Sequence, residues 1–388
     1  SKAMVVSAHP LASEVGINIL KKGGNAADAT IAVQFALAVV YPSAGNIGGG
    51  GFLVYRTNDG VCSSLDFREK APLTSTRNMY LDSTNKVVKD LSLYSHLAIG
   101  VPGTVDGMVN IHEKHGKLPW EELVQPAIDL ATNGFELTRL EADKLNQFNK
   151  TKGSINKNSE YYKENYSEGD SIFLPQLSKT LILIRDHKRA GFYSGETAKM
   201  LVKEMSLNGG KITLQDLDSY HSIWRDPIIS FYKGYKIISM SPPSSGGILL
   251  TQMLKMAENF PLRDFGFHSL KSIHVMTEIE KLSFADRAKH LGDPDFYNVP
   301  EKLLIDSSYL QKRSNKINMD STLLSSDIYA GEFNLKESEE TTHFSIVDEY
   351  GNASSLTTTL NGSFGSGIIV DGAGFLLNNE MDDFSIQT

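Results

Sequence analysis

A disulfide within this sequence is excluded, because its single cysteine, Cys62, has no second thiol to pair with. Redox compartment therefore cannot be read from cysteine usage. Cys62, set among Val61, Ser63 and Ser64, reads as a small core residue rather than a nucleophile. A membrane-spanning run is also missing. The most apolar stretch, Ala26 to Tyr41, carries Asp28 and Gln34, lies between Gly23-Gly24 and Pro42, and falls short of the roughly 20 residues a span needs. It reads as a buried core helix. Positive charge is scarce too: 38 Lys and Arg against 46 Asp and Glu leave a formal net charge of −8. That balance argues against a nucleic-acid or anionic-membrane partner. The opening Ser1-Lys2-Ala3-Met4-Val5-Val6 is too short for a signal peptide, which leaves a cytoplasmic protein or one whose targeting segment has been removed.

Several catalytic templates are absent as well. His112-Glu113-Lys114-His115 is one residue short of the zinc-protease spacing that sets two histidines at i and i+4, so it reads as a solvated helix end. Gly365-Ser366-Gly367 lacks the frame of a nucleophile elbow. The glycines of Gly45-Asn46-Ile47-Gly48-Gly49-Gly50-Gly51 precede the strand Phe52–Tyr55 rather than a helix, and no Lys-Ser/Thr follows, which excludes a phosphate loop. Such glycines imply close backbone approach by packing or at a site edge.

What is present is a chain of 388 residues, 40% hydrophobic and 22% charged, enough to bury a sizeable core. Helical spacing runs from Leu11 to Lys22 and stops at Gly23-Gly24-Asn25. Ala27 to Val40 is apolar nearly all round, as a helix buried between layers should be. A strand is expected over 63–67, a helical stretch over 117–145, and helices over 177–186 and 197–208. Residues 146–172 are polar and read as a surface excursion. Pro227 to Met240 alternates as a hairpin around Lys233-Gly234, and a helix starts at Ile248. No internal repeat is visible. The mixture is α+β.

The most informative junction comes late. Residues 331–340 are mostly polar and acidic, and read as an exposed, mobile arm. Directly after Glu340, Thr341 to Val347 alternates at period two, Glu349-Tyr350-Gly351-Asn352 turns the chain, and Ala353 to Leu360 forms a second strand. If the bond before Thr341 were broken, one residue would own both a hydroxyl and a free α-amine. That amine, with an ordinary pKa of about 7.7–8.0, is neutral in roughly one molecule in six to ten at pH 7 and can serve as the base. Periodicity alone favours a plain strand with exposed threonines.

A wider set of motifs decides between them. Thr341-Thr342-His343-Phe344-Ser345, Gly351-Asn352-Ala353, Thr357-Thr358-Thr359-Leu360-Asn361, Phe364-Gly365-Ser366-Gly367 and Leu376 to Phe384 stand in order near the end. Lys22-Gly23-Gly24-Asn25-Ala26, Gly45 to Phe52, Asp66-Phe67-Arg68-Glu69, Gly103-Thr104-Val105, Pro242 to Gly247 and Gly292 to Phe296 precede them. Together they resemble the γ-glutamyltransferase (γ-glutamyltranspeptidase, glutathione hydrolase) family of N-terminal-nucleophile hydrolases.

The resemblance implies a four-layer αββα sandwich. It also implies one domain over 1–388, self-cleavage between Glu340 and Thr341, and a heterodimer of a large subunit, 1–340, with a small one beginning at 341. It makes Thr341 the nucleophile and Thr359 the residue that orients it. Arg68 would grip the α-carboxylate of a glutamyl group, and Asn361, Glu380 and Asp383 would hold its α-amino and α-carboxylate ends. Read without the resemblance, Arg68 is equally a surface partner of Glu69 or Asp66, and Asp382 reads as a capping residue. Small γ-glutamyl substrates, amino-acid or peptide acceptors, no cofactor and no metal follow, as does a periplasmic or secreted location. The family's small subunit continues past Asp-Asp-Phe, so a serine pair, the oxyanion glycines and a lid loop are expected beyond Thr388, and turnover by 1–388 alone is in question. Poly-γ-glutamate or a cephalosporin side chain as substrate, and an uncleaved binding protein, are the alternatives.

Overall fold

The computed structural model describes residues 2–156, 158–161, 163, 165–324 and 341–384; the arm 331–340, Glu340 included, lies outside them. Chain contacts divide into two compact units, one formed by 1–61, 65–224 and 338–388, the other by 62–64 and 225–337.

The first unit is built around strands β1 (Met4–Val6), β2 (Gly50–Arg56), β4 (Thr341–Val347) and β5 (Ala353–Thr359), which neighbour one another in the order β1-β4-β5-β2. The strand β3 (Cys62–Asp66) ends in this unit at Leu65 and Asp66. Strands β4 and β5 are antiparallel over their whole lengths, so the 349–352 turn sets Val347 opposite Ala353 and Thr341 opposite Thr359. Alternation follows the pleat: in β4 Thr342, Phe344 and Ile346 are buried while Thr341, His343 and Ser345 are exposed.

The buried face meets helix α2 (Ala26–Val40), all fifteen residues of which are buried. Asn25 and Asp28 cap it reciprocally, and the second oxygen of Asp28 takes the backbone N–H of Lys117. Two of its polar side chains reach the sheet. Thr30 donates to Ser354 Oγ at 2.7 Å, and Gln34 Nε2 to Thr358 Oγ1 at 3.2 Å. Helix α1 (Pro10–Lys21) precedes it and ends at Gly23, whose φ of +93° is the left-handed stop expected there.

Three expectations change. The 117–145 stretch is two helices, α4 (Trp120–Asn133) and α5 (Arg139–Lys152), parted at Gly134, where φ is +77°; α3 (Thr104–His115) comes before them. The 146–172 excursion is not all surface, for Phe148, Tyr161 and Tyr166 join the core, and Asn149 Nδ2 bonds the Tyr161 carbonyl. His112 and His115 are not a solvated helix end. Both are half-buried, His112 Nε2 lying 2.9 Å from the Leu118 carbonyl and His115 stacking on Tyr55.

The second unit holds the hairpin Ile228–Tyr232 and Tyr235–Ser239, turned at Lys233 and Gly234 with φ of 46° and 86°. Helices Gly246–Ala257 and Leu270–His290 pack on each other through Met256, Val275, Ile279 and Leu282. Cys62, in this unit, is half-buried. Among the described residues no helix is long and apolar enough to cross a membrane.

Candidate active site

The open end of the β4–β5 hairpin carries the two threonines. They are direct cross-strand partners, so their side chains leave the same face of the sheet. Thr359 is also the partner of Gly50 on β2. Beyond Thr359 the chain turns sharply at Asn361, where φ is +73°, and the Asn361 backbone N–H donates to Thr359 Oγ1 at 2.8 Å. That bond fixes the rotamer of the second threonine. On the same face, one pleat farther along, His343 Nδ1 lies 2.8 Å from Thr357 Oγ1, and its Nε2 lies 3.1 Å from Ser355 Oγ. Although His343 is exposed at the sheet face, partial desolvation of its ring holds the imidazole below its ordinary pKa.

Arg68 arrives from the other side. Phe67 and Gly51 exchange two backbone hydrogen bonds, which lays the 67–69 segment along β2. A Cβ on Gly51 would sit 2.2 Å from the Thr357 carbonyl, so only glycine lets these backbones approach. The Arg68 backbone is gripped at both ends: Asp66 Oδ1 accepts its N–H and the Tyr220 hydroxyl donates to its carbonyl. Its Nη2 donates to Glu380 Oε1 at 2.6 Å and to Asp383 Oδ2. The guanidinium also lies 5.9 Å from the Phe52 ring.

Glu380 and Asp383 belong to a single 3-10 turn, Glu380–Asp383. That turn is anchored by Asn378, whose Oδ1 accepts the Glu380 N–H at 3.1 Å while its Nδ2 reaches the carbonyls of Gly48 and Gly100. Asn361 Nδ2 donates to the Asn379 carbonyl at 3.1 Å, joining the threonine end to the arginine end. Asp382 points elsewhere and accepts from Ser92, in keeping with its structural reading.

Electrostatics follow from this crowding. Burial alone would lower the Arg68 pKa, but Glu380, Asp383 and Glu69 outweigh it and hold the guanidinium charged. Burial pushes Glu380 up to about 7 although Arg68 pulls the other way. Glu69 is held well above the usual carboxylate range, first by burial and then by repulsion from Glu380. Among the described residues, neither Glu69 oxygen nor Glu380 Oε2 has a hydrogen-bond partner, though all three atoms are buried. Buried acceptors beside a fixed cation suit a ligand that carries an ammonium next to a carboxylate.

The described residues thus bring Thr341, Thr359, Asn361, Glu380, Asp383 and Arg68 into one connected network; Glu340 lies outside them. Glu69 enters the site unforeseen as more than a possible partner for Arg68. Its signal was its place directly after Arg68 in a motif that also supplies the arginine.

The sequence model of the γ-glutamyltranspeptidase family matches residues 12–388. The chain belongs to that family. The glutathione hydrolase proenzyme of Escherichia coli K12 is 43% identical over the whole of this chain and 67% of its own length. The crystal structure of Helicobacter pylori γ-glutamyltranspeptidase superposes with a TM-score of 0.82 at 44% identity, covering 86% of this chain and 97% of that one. A cephalosporin acylase from Bacillus halodurans superposes with a TM-score of 0.87 at 25% identity, over 99% and 70%. As a γ-glutamyltranspeptidase family member the chain has the α+β fold of the N-terminal-nucleophile hydrolases, and it is of an enzyme family.

Proposed function

We propose that this chain is a proenzyme that cleaves itself before Thr341 and then hydrolyses or transfers the γ-glutamyl group of glutathione and related γ-glutamyl amides. Thr341 Oγ1 attacks the γ-carbonyl, and its proton passes through the new α-amine to the leaving nitrogen. An ester on Thr341 results. Water or the amine of an amino acid or peptide then takes the acyl group, and gives up a proton that passes through the α-amine to Oγ1. Thr359, oriented by the Asn361 N–H, steers the nucleophile. Arg68 takes the substrate α-carboxylate, and the carboxylates of Glu380 and Asp383 take its α-ammonium.

The observation that carries this reading is the pairing of Thr341 with Thr359 in register, linked through Asn361 and Asn379 to a half-buried arginine between two carboxylates. The proenzyme name of the E. coli relative supports the processing step. Self-cleavage is net hydrolysis of the 340–341 peptide bond. It yields a heterodimer of 1–340 and the piece from 341 onward, which together form one catalytic domain. We further assign the protein to the periplasm or the extracellular space, in line with the family resemblance.

The test is direct. Mass spectrometry of the protein held at neutral pH is expected to show a break before Thr341, with a new terminus reading Thr-Thr-His-Phe. Thr341→Ala is expected to abolish both that break and the turnover of a γ-glutamyl anilide. An intact chain together with unchanged turnover in Thr341→Ala would sink the reading. Glutathione, poly-γ-glutamate and a glutaryl-cephalosporin offered side by side identify the preferred acyl donor. Preference for the last would reassign the chain to acylase work.

A further inference from the structure

We propose that Asn46, in the glycine-rich loop ahead of β2, is a positioning residue for Thr359 and, through it, for Thr341. This rests on the threonine-nucleophile reading. Strand β5 ends at Thr359, and there the Thr359 carbonyl is held by a side chain: Asn46 Nδ2 donates to it at 2.8 Å. The same amide nitrogen lies 2.9 Å from Thr358 Oγ1 and 3.0 Å from the Ala44 carbonyl, so its two hydrogens are shared among three acceptors. Its oxygen is no less engaged, accepting from the Gly49 N–H at 3.0 Å and from Thr104 Oγ1 at 2.7 Å. Asn46 is 3% exposed, and Thr104 and Thr358 are fully buried, so water does not compete for these bonds.

A second amide completes the mount. Gln34 Nε2 from α2 donates to the Asn46 carbonyl at 3.0 Å and to Thr358 Oγ1, and Thr358 Oγ1 in turn donates to the Gly50 carbonyl at 3.1 Å. The loop lies so close that a Cβ on Gly49 would stand 2.2 Å from the Thr359 oxygen. Thr359 is thereby fixed on two sides. Its carbonyl is tied to Asn46 on the helix side, and its hydroxyl is set by the Asn361 N–H on the substrate side.

None of these bonds reaches the Arg68, Glu380 and Asp383 carboxylate clamp. The glutamyl head and the reacting hydroxyls therefore have different principal anchors, Asn378 for the head-binding turn and Asn46 for the second threonine, with Asn361 and the Gly48 carbonyl linking the two. Loosening the Asn46 mount should misplace the nucleophile pair while leaving ground-state recognition of the head intact. Displacing reacting atoms by about 1 Å can cost on the order of 100-fold in rate.

The test uses the full chain with Asn46→Ala and, as a gentler variant that deletes only the hydroxyl between the two amides, Thr358→Val. The probes are a γ-glutamyl anilide for kcat and KM, and free L-glutamate as a competitive inhibitor for head binding. The expected result for Asn46→Ala is a kcat lowered about 10- to 100-fold, with KM and the glutamate inhibition constant within about threefold of the parent. Thr358→Val should show the same split with a smaller fall. If Asn46→Ala does not fold, Thr358→Val alone decides. A kcat unchanged in a folded variant overturns the inference. So does a KM and inhibition constant that rise in step with the fall in kcat, since general loosening would do that. Thr341→Ala measured alongside separates the two failures. Turnover surviving there sinks the proposed function and this inference with it, whereas turnover lost there but retained in the Asn46 and Thr358 variants sinks the inference alone.

Discussion

Glu69 shows how a single buried group can couple the site to stability. The residue is 9% exposed, and its buried carboxyl oxygens have no hydrogen-bond partner among the described residues. Burial, then repulsion from Glu380, raises its folded pKa well above 4.5, with Arg68 offsetting only part. The folded state therefore binds this proton more tightly than the unfolded chain does. Stability from this group is full below the unfolded pKa near 4.5 and is lost as pH rises toward the folded value. Glu69→Gln removes the titration while keeping the shape. Thermal midpoints should then differ little between variant and parent at pH 4.5, and the variant should melt higher at pH 8. A parent that melts as high as the variant at pH 8 would show that Glu69 is not the strained group. Residues such as Glu69 and Asn46 cannot be weighed from sequence, because the partners that define them lie far along the chain. Asn46 and Thr359 are separated by 313 positions, and no local period joins them.

At the scale of elements, much was legible because period and punctuation agree. Seven-residue strands on either side of the 349–352 turn give the Thr341–Thr359 register at once. The helix over 26–40 and the hairpin around Lys233-Gly234 stand where their patterns put them. The split between α4 and α5 was hidden because apolar spacing runs on past Gly134, and the buried tyrosines 161 and 166 were masked by their polar neighbours. The glycines can be told apart only by their surroundings. Gly51 faces the Thr357 carbonyl across the β2–β5 pair, whereas Gly23 at the end of α1 has nothing within 4 Å of an added Cβ. Gly51→Ala must push two paired backbones apart and should cost roughly 3 kcal/mol or more. Gly23→Ala meets only the strain of a left-handed φ, about 1 kcal/mol. Denaturant midpoints of the two variants would rank them. The ranking fails if Gly51→Ala is the milder change.

For the whole molecule the main question is why a chain cut before Thr341 should hold together. Both strands of the downstream piece lie inside the sheet of the first unit. Strand β4 pairs with β1 through Met4, Val5 and Val6, and β5 pairs with β2 across seven residue pairs. Behind the sheet the Ala26 N–H donates to Asp348, and Thr30 donates to Ser354. Phe344, Ile346, Leu356, Leu360, Val370 and Leu377 are all within 1% of full burial in the core of the first unit. At about 1.5–3 kcal/mol for each such side chain, their burial opposes separation by on the order of 10 kcal/mol. That is an upper estimate, since a released fragment would collapse partly on itself. Most of these contacts are apolar or between paired backbones, and the Arg68 ion pairs with Glu380 and Asp383 are the salt-sensitive minority, so raising the salt concentration does little to the whole. The cleaved protein should therefore elute as one species in size exclusion at low and at high salt, with both fragments in the peak, and should separate only in denaturant. Elution of the downstream fragment on its own in native buffer would mean that the two strands are held more weakly than their place in the middle of the sheet requires.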